Sequence, residues 1–151
     1  MFCSCCKNLS WKKVGLAALV FMAISFVAHL VESFLTMSFY QNPDYFGLWS
    51  QIMMPGKGAP PLSFFLLSLL FSFVTGKVLA ITYCFTKDKL AGSGWRRALD
   101  FTCFVATLYF VLSFLPSLLI LNVPLALLLS WFAGALVAVF LASLAFDRLL
   151  N

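Results

Sequence analysis

The sequence predicts an all-α membrane protein: a bundle of four antiparallel transmembrane helices making a single integral membrane domain over residues 1–151. Three observations predict it. The chain is 63% hydrophobic and only 10% charged, with mean hydropathy +1.02, where a soluble domain carries about 25% charged residues. Four apolar runs, near residues 14–37, 62–85, 98–121 and 125–146, can each cross a hydrocarbon core about 30 Å thick, which takes about 20 helical residues. The basic residues fall on alternate connections between those runs.

Composition also excludes. A water-soluble fold of this size leaves too much surface in water to hide so many apolar side chains. The formal net charge is +5, but the basic residues are spread over short loops rather than gathered on one face, so nucleic acid is not an expected partner. Five cysteines, Cys3, Cys5, Cys6, Cys84 and Cys103, make an odd set with no external pair, which argues against a disulfide framework. Cys3, Cys5 and Cys6 precede the first apolar run; they are read as reduced thiols, with soft-metal binding or palmitoylation as alternatives.

Each run is expected to be helical because, in hydrocarbon, backbone N–H and C=O groups must bond within their own segment. The first run begins after Lys7, Lys12 and Lys13. It resembles a signal peptide in outline, yet it continues past any plausible cut, and Phe26 would occupy the small-residue position of a cut after Ala28, so it is expected to remain as a span. Lys87, Lys89, Arg96 and Arg97 separate the second and third runs, Arg148 ends the fourth, and Lys57 alone stands on the other side. The positive-inside rule then puts both termini and the middle loop in the cytoplasm, across a plasma (inner) membrane.

The first external connection, residues 38–61, contains Asn42-Pro43-Asp44, an N-cap, a proline at the first helical position and an acid in the first turn. A short interfacial helix there would set Tyr45 and Trp49 at headgroup depth as anchors; an irregular loop with the same anchors is the alternative. Asn122-Val123-Pro124 is a tight turn, so the third and fourth helices should be neighbours. Pro116 cannot donate to the carbonyl of Leu112, and a kink is expected there.

Polar residues inside spans are the candidate sites, since ionisable groups in hydrocarbon are costly. Ser25, His29, Glu32, Ser33 and Thr36 share one stripe of the first helix. This stripe is read either as a proton-relay or ligand site, with His29 titrating near neutrality, or as a seam of hydrogen bonds holding the bundle. A metal would need more ligands than His29 and Glu32 supply, so neither metal nor cofactor is expected. Lys77, among apolar neighbours in the second helix, should snorkel to the headgroups or pair with Asp100. In the fourth helix Ser130, Gly134, Ala138 and Ala142 repeat every four positions, a pattern that admits a second helix at close range. Its partner is expected to be the chain's own third helix, with a second copy as the alternative.

The order of His29, Tyr40 and Trp49, then Asn122-Val123-Pro124-Leu125-Ala126-Leu127, then Trp131 and Gly134 resembles a family of small bacterial inner-membrane proteins with four spans and no assigned function. Leu30 stands where that family has glycine after the histidine, and Ala138 where it has a glutamate. The resemblance implies a plasma-membrane location and no substrate.

No phosphate-cradling glycine loop, HExxH or nucleophile elbow is present, which leans against an enzyme. The expected function is that of a structural or accessory membrane protein whose partners are the lipid bilayer and either a second copy or another membrane protein. A small oligomeric transporter or channel, and an intramembrane enzyme acting on a lipid or isoprenoid substrate, are the alternatives.

Overall fold

A computed structural model describes residues 10–44, 61–121 and 123–150. All regular structure among them is helical. Helix α1 (Trp11–Leu35) is followed by the short α2 (Met37–Gln41). Helix α3 (Leu62–Thr86) runs into a 3-10 turn, Lys87–Lys89. Helix α4 (Trp95–Tyr109) passes through a π-helical turn, Phe110–Phe114, into α5 (Leu115–Ile120), and α6 (Leu125–Leu149) completes the set. The four stretches Trp11–Leu35, Leu62–Lys89, Trp95–Ile120 and Leu125–Leu149 are long and apolar enough to cross a membrane.

The boundaries differ from the sequence expectation for local reasons. The first helix stops at Leu35 rather than near residue 37, because Thr36 leaves helical geometry (φ −106°, ψ 9°) and turns its hydroxyl back to the Glu32 carbonyl at 2.8 Å. The third begins at Trp95, immediately after two glycines with positive φ, Gly92 (+68°) and Gly94 (+62°), which make the reversal from the 3-10 turn. Asn42 caps as its sequence suggested: its Oδ1 accepts the Asp44 N–H at 3.0 Å. Tyr45 and Trp49 lie outside the described residues.

Pro116 perturbs its helix by widening it. The Leu115 N–H bonds to the Phe110 carbonyl, an i→i+5 bond. Such a π-turn absorbs the hydrogen bond and the space that a proline ring denies the preceding turn. It also gathers rings: Phe132 of α6 lies 5.5 Å from Tyr109, 6.0 Å from Phe110 and 5.2 Å from Phe114, centroid to centroid.

Helices pack in the order α3, α1, α6, α4. The last two runs are therefore neighbours, but the second run lies against the first and stays off the third for most of its length. Small residues make the α1–α3 seam close. A Cβ on Gly76 would stand 2.9 Å from the Ala18 carbonyl oxygen and 3.0 Å from Phe21 Cβ, so only glycine fits there. The fourth-helix stripe has α1 as its partner at Ser130 and Gly134, both of which meet Glu32; Ala138 and Ala142 are buried farther along. All four long helices converge at one end, called here the base, where Val14, Tyr83, Phe101 and Phe146 share one core and the Tyr83 ring meets Phe101 and Phe146 edge-on.

Candidate functional site

The sequence stripe on α1 divides in space. Ser25, Glu32 and Thr36 are buried, Ser33 is half-buried and His29 is exposed. Helical spacing put these residues within one sector, but α6 covers only the Glu32 edge of it. His29 and Glu32 therefore do not face one cavity.

Glu32 is the centre of what remains. Ser130 Oγ donates to its Oε1 at 2.8 Å across the α1–α6 seam. The Thr36 hydroxyl lies 3.0 Å from the same oxygen and 2.8 Å from the Glu32 carbonyl; its single proton serves one of the two at a time. Gly134 opens the space: a Cβ there would reach Glu32 Cγ at 3.6 Å, ordinary contact, while a larger side chain would take the place of the carboxylate. Just beyond, Trp131 Nε1 donates to the Tyr40 hydroxyl at 3.0 Å, tying α6 to α2. Burial pushes the Tyr40 phenol above its ordinary value, the hydrogen bond from Trp131 opposes this, and the Glu32 carboxylate adds to the rise. Every one of these contacts joins one helix to another or closes a helix end. Chemically the cluster can hold a carboxylate and order hydroxyls.

A second polar cluster, at the base, was not singled out by sequence reasoning. The Asp147 carboxylate accepts three hydrogen bonds: Tyr83 Oη (2.7 Å) and an Arg97 guanidinium nitrogen (2.9 Å) on Oδ1, and the Gly94 N–H (2.9 Å) on Oδ2. Arg97 also donates to the Gly92 carbonyl at 2.7 Å, and Lys87 Nζ to the Leu150 carbonyl at 2.7 Å. Both members of the ion pair are shielded, Arg97 at 20% and Asp147 at 12% side-chain exposure. One carboxylate thus fastens α3, the glycine turn, α4 and α6. In the sequence Arg97 marks orientation, and Asp147 is a lone acid just past the fourth apolar run. The available signal was an acid and an arginine at matching ends of two apolar helices, beside a glycine-rich turn.

Lys77 and Asp100 are not brought together. Asp100 Oδ2 accepts the Ala91 N–H at 3.1 Å within the turn. Lys77 is exposed on α3 with its ammonium 4.7 Å from the centre of the Phe73 ring. Phe73 lies one turn back toward the helix middle, so the ammonium does not reach for the nearer helix end as snorkelling would require. Helical side chains lean toward the N-terminus, and here that lean carries the charge away from Thr86. Cation–π contact of this kind is worth about 0.5–2 kcal/mol, depending on how far water is excluded.

Comparison of the chain with protein families, with curated proteins and with solved structures gave no match. Tyr40, Trp131 and Gly134 gather around Glu32, whereas His29 points outward.

Proposed function

We propose that this chain is an accessory subunit of a bacterial plasma membrane, an antiparallel four-span protein with both termini cytoplasmic, and that it acts by presenting the outer face of α3 to another membrane protein. Lys77 is the observation that carries this reading. At 1.5 Å per residue its Cα lies about 14 Å along the axis from Thr86, within the apolar stretch, on a face that no other helix among the described residues covers. A charged side chain at such depth almost always faces protein or a water-filled cavity and pairs with an opposite charge or carbonyls. A partner helix carrying an acidic or amide side chain would replace the Phe73 ring as its neighbour.

Packing supports the same face. Both α3 and the α4–α5 stretch bury far less of themselves within the chain than α1 and α6 do, and of the two only α3 carries a charge within its apolar length. A transporter or an intramembrane enzyme has less support. Both needed His29 and Glu32 to converge on one cavity, and His29 faces outward.

Site-specific photocrosslinking in membranes tests this. A photoreactive residue at Val74 or Val78, both exposed beside Lys77, should give a discrete protein adduct that Lys77→Met removes, while the same residue at Leu141 on α6 should give lipid adducts. Lipid adducts alone from all three positions would overturn the proposal.

A further inference from the structure

A cavity of about 450 Å³ lies between α1 and α6 near the base. Its walls are Val20, Leu141, Leu144, Ala145 and Leu149, and its single charged member is Arg148. The α6 residues follow one another at three- and four-residue spacing, so the trough runs along the helix and ends where Arg148 stands exposed. Lys13 lies on the same face of α1 as Val20, about two turns nearer that end. The trough is apolar along its length and cationic at its mouth.

We infer that this groove is a seat for one anionic phospholipid of the cytoplasmic leaflet, one of its two acyl chains along Leu141–Leu149 and its phosphate against Arg148. Three features select that occupant. The volume falls in the range of small-ligand sites, about 300–1,000 Å³. The only lining group able to recognise a head is a guanidinium, which binds phosphate through paired N–H donors. The chain carries a net +5, and basic pockets between transmembrane helices on the cytoplasmic side are suited to acidic headgroups. The inference rests on the membrane reading above and is independent of the Lys77 face.

Reconstitution into nanodiscs of phosphatidylcholine mixed with phosphatidylglycerol, then transfer to mild detergent and native mass spectrometry, reads the lipid that stays bound. The wild-type chain should retain one phosphatidylglycerol in preference to phosphatidylcholine. Arg148→Gln should lower that retention about fivefold, the equivalent of about 1 kcal/mol for one basic side chain at a membrane surface. Ala145→Phe, which fills the trough and leaves the charge, should lower it as well. Arg96→Gln removes an exposed cation beside Trp95 and outside the groove, and should leave retention unchanged. Equal loss in Arg96→Gln and Arg148→Gln would reduce the effect to net charge and overturn the seat. So would full retention in Arg148→Gln, or absence of any preference for phosphatidylglycerol in a chain that has entered the discs. Failure to enter the discs would overturn the membrane reading and the seat with it.

Discussion

Removing the Asp147 carboxylate should loosen the base more than any other single side-chain truncation among the described polar residues. Asp147→Ala leaves three donors without their acceptor: Tyr83 Oη, the Arg97 guanidinium and the Gly94 N–H. They are not equally affected. Arg97 is 20% exposed and can turn toward water, so the pair itself contributes modestly. Tyr83 is fully buried, and its phenol cannot be rehydrated without opening the core shared with Phe101 and Phe146. An orphaned buried polar group costs about 1–3 kcal/mol, and the N–H at the turn adds a similar or smaller amount, so a loss of about 2–4 kcal/mol is expected. Tyr83→Phe deletes the donor together with its need, and should cost only about 0.5–1.5 kcal/mol. Once the phenol is gone, Asp147→Ala should cost less than it does alone, giving a coupling of about 1–2 kcal/mol in a double-mutant cycle. Reversible unfolding in mixed micelles, followed by circular dichroism, measures each corner. Additive losses, or an Asp147→Ala variant within about 0.5 kcal/mol of wild type, would refute the assignment of Asp147 as the common acceptor.

Other substitutions separate the remaining contacts. Gly76→Ala should destabilise by about 1–3 kcal/mol in the same unfolding assay, because its methyl meets Ala18 backbone at 2.9 Å, while Gly134→Ala, with 3.6 Å to Glu32 Cγ, should change little and Gly134→Leu should displace the carboxylate and impair folding. Glu32→Leu should lower thermal stability by breaking the Ser130 tie, and His29→Leu should leave it unchanged because His29 faces outward; equal effects would contradict the divided stripe. Folding raises the Tyr40 phenol above its ordinary 10.0, so the folded chain keeps a proton that the unfolded chain releases. Stability should therefore fall as pH rises through and above that value, and Tyr40→Phe should flatten the decline in an alkaline denaturation series.

Much of the helix inventory was legible because it is a local property. A run such as residues 125–146 has nowhere to satisfy its backbone but in its own turns, and Pro116 disturbs its helix whatever surrounds it. The Asn42 cap was likewise local, a side-chain acceptor two residues before the N–H it meets. Legibility ended where faces had to be chosen. His29 and Glu32 are three residues apart, yet the seam with α6 passes between them. Lys77 and Asp100 looked like partners by depth, but α3 and α4 are not packed side by side at that level. Gly76 was an ordinary glycine until the Ala18 backbone was seen against it.

By itself, then, the sequence determined four apolar helices and the disturbance before Pro116. Tertiary structure alone decided that α1 and α6 are central, that Glu32 turns inward and His29 outward, and that Asp147 gathers three donors from distant parts of the chain. The physical reason is that a helix apolar on nearly every side closes its own hydrogen bonds from local information but has no polar face to fix its rotation. Rotation and neighbour order come instead from van der Waals fit and a few interhelical hydrogen bonds, which depend on pairs of residues far apart in sequence.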